Sequence, residues 1–255
     1  MLSLCWICYC WLGVELVVLK SFKDWASVIT ILFDIDGTLI RSGGAGMIAI
    51  RQVMEEMFGL QNVTKVPVHG RTDKGILGDI FAAVSLDYDE HQSEFTKRYS
   101  SLLAQTLAGC DGVILPGVKS LLDELQQLPN VSLGILTGNG QLAAQAKLTH
   151  FQLEQYFSFG GYGDDHANRD EIAKLANRSA EQFLKNAYDP SQVWVVGDTV
   201  HDITCARSIG ARVVAVETGG AGRQELENAQ PDLQLENLES AKFLEAVLGS
   251  SKVSD

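Results

Sequence analysis

A doubly wound α/β sheet carrying an inserted helical domain is the fold this sequence predicts, on three observations. Short Val/Ile/Leu/Phe runs recur at 30–35, 131–136, 193–196 and 213–216, each too short for a helix. They are continuous rather than alternating, as in parallel strands covered on both faces. Stretches of helical periodicity separate most of them, the alternation that builds a parallel sheet. One interval, from Leu39 to Pro116, carries almost no strand signal and reads as an insertion of helices.

Taken in order, the chain begins with an apolar segment over 2–19, interrupted by Glu15 and followed by Lys20 and Lys23. It is near the lower limit for a membrane span. No Lys or Arg precedes it and no small-x-small cleavage site follows, so it does not have the pattern of a secretory signal. Residues 1–27 are read as an extension: a tail or the product of an upstream start, ahead of a membrane anchor. The folded unit is expected to begin near Val28–Thr30. The first strand, 30–35, leads into three helices at 47–58, 74–84 and 90–107. These form a cap over 43–112, bounded by the turn residues Gly43-Gly44 and the run from Cys110 to Pro116. The core then occupies 28–42 and 113–248, and 249–255 is a polar tail. Core helices are expected at 116–128, 141–149, 171–184 and 202–209; the first opens on Pro and repeats Val118, Leu121, Leu122, Leu125, Leu128. A weaker strand signal lies at 157–160. The insertion starts where the first strand ends, a position that suits a lid.

The 255 residues are 46% hydrophobic and 20% charged, which predicts a packed core. A formal net charge of -12 excludes general nucleic-acid binding, which needs basic stripes. Of five cysteines, three fall in the first ten residues. Cys5-x-x-Cys8 has no second pair to complete a zinc site, and Cys110 and Cys205 stand alone. No disulfide framework is indicated, and a reducing cytoplasm is the expected compartment.

Ligands of open α/β sheets sit beyond the carboxyl ends of the strands. The first strand ends in Asp34-Ile35-Asp36-Gly37-Thr38, the next in Thr137-Gly138-Asn139, and the strand at 193–196 in Gly197-Asp198-Thr199-Val200-His201-Asp202. Asp34 and Asp36 are two apart, so a strand's period places both on one side. Four carboxylates and several hydroxyls thus converge on one edge. Like charges so close need a cation or a shared proton. An all-oxygen set suits a hard divalent ion, and Mg²⁺ is the expected cofactor. Thr137-Gly138-Asn139 also admits a plain turn. Arg71, in "GRTDKG", is either a substrate contact from the cap or part of a loop that Asp73 caps.

The pattern Asp-x-Asp-Gly-Thr-Leu, a hydroxyl residue after the second strand, and Gly-Asp-x-x-x-Asp resembles the haloacid dehalogenase superfamily over residues 30–248. Within it the chain is similar to the phosphoglycolate phosphatase and beta-phosphoglucomutase branch with a helical cap. The resemblance implies a Rossmann-like core and a Mg²⁺-dependent phosphatase acting on a small phosphorylated metabolite. Asp34 would be the nucleophile that forms an aspartyl-phosphate. Asp36 would be the general acid and then the base. The metal would be held by Asp34, the carbonyl of Asp36 and Asp198, with Asp202 behind them. Thr137 and the groups after it, Gly138 and Asn139, would bind phosphoryl oxygens, with Thr38 and Arg71 as further substrate contacts. The family's Lys before the fourth strand's helix is absent; Arg169 stands in its place, with Lys174 as the alternative. A phosphomutase, or a binding module that has lost catalysis, are the other readings. A dehalogenase has no need of Asp36, and the cap lysines a phosphonatase could use, Lys65 and Lys74, lie in no recognisable context.

Overall fold

The computed structural model describes residues 27–63 and 66–249. The N-terminal extension, apart from Ser27, and nearly all of the polar tail lie outside the described residues. Six parallel strands form one sheet in the order β5-β4-β1-β6-β7-β8. They are β1 (Val28–Phe33), β4 (Val131–Leu136), β5 (Phe159–Gly161), β6 (Tyr188–Gly197), β7 (Arg212–Val216) and β8 (Leu233–Leu235). The chain runs outward from β1 through β4 and β5, then returns to the other side of β1 for β6, β7 and β8. The order therefore reverses at β1, which makes the crevice at its carboxyl end the natural ligand position.

Every residue of β1 is buried, because helices cover both faces. Ile29, Ile31 and Phe33 point into one apolar layer with α4 (Val118–Gln126), α5 (Gln141–His150) and α9 (Lys242–Gly249). Leu32 points into the other with α6 (Arg169–Leu184) and α7 (Val200–Ser208). The alternation survives in direction even though polarity does not alternate.

The insertion consists of α1 (Ala45–Phe58), α2 (Asp73–Ala83) and α3 (Tyr88–Ala108), gathered around Phe81, Phe95 and Leu103. It leaves and re-enters through two short antiparallel strands, β2 (Ile40–Arg41) and β3 (Val113–Ile114). Two residues each are too few for an apolar run to show. The helix expected from Pro116 starts instead at Val118, because Gly117 adopts φ +81° and packs its Cα face against the backbone of Leu238 and Glu239. That left-handed conformation cannot belong to a helix and favours glycine. The short β8, and α8 (Arg223–Asn228) and α9 after β7, carry signals too brief to separate from loop. Among the described residues no helix is long and apolar enough to cross a membrane.

Candidate active site

Sheet register brings the motifs level. Phe33 pairs with Ile135 on one side and Val196 on the other. The next residues along are Asp34, the Leu136-Thr137 step and the Gly197-Asp198 step. Asp34 N donates to Val196 O at 2.9 Å, so the nucleophile candidate is still anchored to the sheet by its backbone.

Among the described residues one group of acids could hold a metal: Asp34, Asp198 and Asp202, each offering a carboxylate oxygen within 4.8 Å of the others. All three are buried, at 5%, 2% and 0% exposure. Burial, opposed by Arg169 and reinforced by Asp202 and Asp36, raises Asp34 to about 6. Burial and the charges of Asp202 and Asp34 raise Asp198 to about 8, against the bonds from Gly220 N and Thr38. These are the costs of packing carboxylates together without water. A hard divalent cation bound to oxygen ligands would remove them, so this donor set fits Mg²⁺.

The surroundings hold Asp198 still. Gly220 N donates to its Oδ2 at 2.7 Å and Thr38 Oγ1 to its Oδ1 at 3.2 Å. A Cβ on Gly37 or on Gly219 would collide with that carboxylate, so both positions need glycine; Gly37 also has φ +87°. Asp202 has both oxygens engaged. Oδ2 accepts from Thr199 N and Oγ1 at 2.9 and 2.7 Å, completing the capping box that starts α7, and Oδ1 pairs with Arg169.

Arg169 is the first residue of α6, after the N-cap Asn168. A cation at a helix N-terminus opposes the dipole, yet it is 7% exposed because Asp202 and Asp34 face it, the latter at 3.2 Å. Burial alone would lower it, but those two carboxylates hold it fully ionised. Lys174 lies on the outer side of α6, exposed and paired with Glu171 at 2.7 Å.

Thr137 is fully buried and its Oγ1 accepts from Asn139 N at 3.3 Å and Nδ2 at 2.8 Å, which leaves its own proton available to an anion. Asn139 also donates to Asp36 Oδ2 at 2.7 Å. Gly138 admits the cap: a Cβ there would collide with Arg71 O, and its own carbonyl accepts from Asp73 N at 2.7 Å. Three expected substrate contacts therefore have partners in the protein. Thr38 serves Asp198 and Asn139 bridges Thr137 to Asp36. Arg71 lines the cavity but spends its guanidinium on Pro67 O, Gly75 O and Asp79, at 3.2, 3.1 and 2.8 Å.

Two residues were not expected at this site from the sequence. Lys147 of α5 is 4% exposed and donates to Asp36 Oδ2 and Asn139 Oδ1, both at 2.6 Å. Burial would raise Asp36, but the charge and hydrogen bond of Lys147, with Asn139 and Ser42, bring it below the usual carboxylate range. The signal for Lys147 was its place on the Ala143, Ala144, Leu148 face of α5, where a lysine must find an acceptor. Asp73 of α2 accepts from Gly140 N at 2.8 Å and so links cap to core.

A cavity of about 430 Å³ lies between cap and core, with Asp34, Asp36, Arg169 and Asp198 at its base and Met47, Ile50 and Tyr99 on the cap side. That volume suits a small ligand.

A family model described as haloacid dehalogenase-like hydrolase matches residues 31–216. A phosphoglycolate phosphatase of Synechococcus elongatus is 28% identical over 206 residues, 81% of this chain and 92% of the relative. One from Xanthomonas campestris pv. campestris is 30% identical over 195 residues, 74% and 83% of the two chains. In structure, the beta-phosphoglucomutase of Clostridium difficile aligns with a TM-score of 0.65 at 15% identity, covering 89% of this chain and 100% of that one. At that identity the likeness speaks for the fold.

Proposed function

The chain belongs to the haloacid dehalogenase-like hydrolases, and from that premise we propose that it is a Mg²⁺-dependent phosphatase of a small phosphorylated metabolite, working through an aspartyl-phosphate. The observation that carries the reading is one juxtaposition. Asp34, Asp198 and Asp202 gather at the carboxyl edge of the sheet with Arg169 on Asp34, and Asp34, Asp198 and Arg169 open into a capped cavity sized for a small molecule. The similarity to phosphoglycolate phosphatases of two bacteria supports the substrate class.

In this reading Asp34, the carbonyl of Asp36 and Asp198 would hold Mg²⁺, whose charge would let an anionic phosphate approach anionic Asp34. Asp34 attacks phosphorus and takes the phosphoryl group as an acyl phosphate. Arg169 and the Thr137 hydroxyl stabilise the phosphoryl oxygens as charge spreads over them. Asp36 gives a proton to the leaving alcohol, then takes one from the water that hydrolyses the acyl phosphate. Asp202 orients Arg169 and the start of α7. The cap closes the cavity against bulk water.

A panel of phosphorylated metabolites, 2-phosphoglycolate among them, assayed with Mg²⁺ and with chelator, tests this. Metal-dependent release of phosphate from at least one small ester is expected, together with phosphate covalently trapped on Asp34. Full activity in chelator would remove the metal from the reading, and near-normal turnover by Asp34→Asn would remove the nucleophile.

A further inference from the structure

Lys147 has no part in the reaction so far described, yet it is the most committed cation in the site after Arg169. The residue is 4% exposed, and its ammonium lies 2.6 Å from both Asp36 Oδ2 and Asn139 Oδ1. Asn139 closes the ring by donating from Nδ2 to the same Asp36 oxygen at 2.7 Å. Three side chains, one from a helix and two from the loops that follow β1 and β4, thus form a closed triangle on one carboxylate oxygen. Helical side chains lean toward the N-terminus. Lys147, two turns into α5, therefore reaches back to the Thr137–Gly140 loop that starts the helix.

A buried ammonium without acceptors costs several kcal/mol, and simple burial is served by an apolar residue on this Ala143, Ala144, Leu148 face. What the lysine adds is restraint on Asp36. That carboxylate stands at the cavity, its side chain 39% exposed, with Ser42 as its other hydrogen-bond partner. Resting on the reaction proposed above, we infer that Lys147, together with Asn139, is a positioning residue that fixes Asp36 Oδ2 and so aims Oδ1 for proton transfer. In the second half-reaction the water oxygen forms a bond to phosphorus. The phosphorus–oxygen bond to Asp34 breaks, with its electron pair returning to the Asp34 carboxylate. One proton of the water passes to Asp36 Oδ1. A carboxylate free to rotate about its side-chain torsions presents that oxygen only part of the time, and general-base assistance falls accordingly.

The test uses p-nitrophenyl phosphate with Mg²⁺, because its leaving group departs without a proton. Formation of the acyl phosphate then does not depend on Asp36, while its hydrolysis does. Lys147→Met is expected to lower kcat by about 10² with kcat/KM changed by less than about threefold, so KM falls with kcat. Rapid mixing should show a burst of p-nitrophenolate close to one per chain, and phosphate should be trapped covalently at steady state. Asn139→Ala should move the same two quantities in the same direction, and Lys147→Arg should restore part of kcat. If Lys147→Met lowers kcat and kcat/KM together without a burst, or lowers neither, the positioning role is overturned. Should that variant not fold, Lys147→Gln is held to the same criteria. A wild-type chain that does not turn over the ester with Mg²⁺ would instead overturn the phosphatase reading.

Discussion

The substitution Asp198→Asn is expected to stabilise the metal-free protein at high pH while removing its response to Mg²⁺. Asp198 is 2% exposed and raised from 3.8 to about 8, through burial first and then the charges of Asp202 and Asp34. A raised carboxyl pKa means the folded chain keeps a proton that the unfolded chain has released. Its contribution to stability is therefore full below 3.8 and is lost as pH rises through about 8. At ~1.36 kcal/mol per unit, the whole shift caps near ~6 kcal/mol. Relaxation and water entry on ionisation reduce it, and ~3 kcal/mol is the working figure.

The side-chain amide that replaces the carboxyl cannot ionise. Its carbonyl still accepts from Gly220 N, and the Thr38 hydroxyl, now 3.2 Å from Asp198, can turn to accept from the new amide. The variant should melt roughly 6–12 °C above wild type near pH 9 in chelator, at about 2–4 °C per kcal/mol. Below pH 3.8 the two should nearly coincide. Mg²⁺ at a hundred times its dissociation constant should add about 2.7 kcal/mol to wild type and little to the variant. Calorimetry at the two pH values, with chelator and with Mg²⁺, reads all four quantities. A variant that melts below wild type at high pH in chelator would refute the argument that these carboxylates repel in the empty site.

The fold was legible because it is written in burial. Strands covered on both faces cannot avoid continuous apolar runs, and β1, β4, β6 and β7 each show one. Motifs at strand ends were legible for a related reason: parallel register carries the ends of β1, β4 and β6 to one edge, so sequence position becomes spatial position. What escaped was what depends on pairs distant in the chain. Lys147 lies 111 positions from Asp36 and makes sense only once α5 is laid against the end of β1. Its place on an apolar helix face said that it needed an acceptor without saying which. Thr38 and Asn139 were expected as substrate contacts from their motifs, and the motifs did not show that they also bond Asp198 and Asp36, which takes the tertiary arrangement to see. The two-residue strands β2 and β3 define the stem of the cap, yet a pair of residues carries no period to read.

Three further outcomes are expected. Asp34→Asn should abolish turnover while leaving the melting temperature equal or higher, since it keeps shape and removes a buried charge; a near-normal rate would exclude the covalent route. Arg169→Ala should cost about 10²-fold or more in kcat, whereas Lys174→Ala, which loses an exposed pair with Glu171, should stay within about threefold; the reverse ranking would move the role to Lys174. The last concerns how the cap is held. Asp73 accepts from Gly140 N at 2.8 Å while its own N donates to Gly138 O at 2.7 Å, so one residue fastens α2 to the loop that starts α5. Burial raises its carboxyl to about 6; Lys147 and the Gly140 bond oppose this, and Asp36 and Asp164 add to it. By the same sign, docking is strongest below 3.8 and weakens as pH rises through about 6. The group is only partly buried, so screening reduces the effect to ~1 kcal/mol, or about fivefold in the opening equilibrium. Asp73→Asn keeps an acceptor for Gly140 N and cannot ionise. Hydrogen exchange of the Asp73 and Lys74 amides, corrected for intrinsic rates, should lose protection in wild type between pH 5 and pH 8 and stay level in the variant. Equal pH dependence in the two would show that the cap is held by its apolar contacts with α5 and not by this bond.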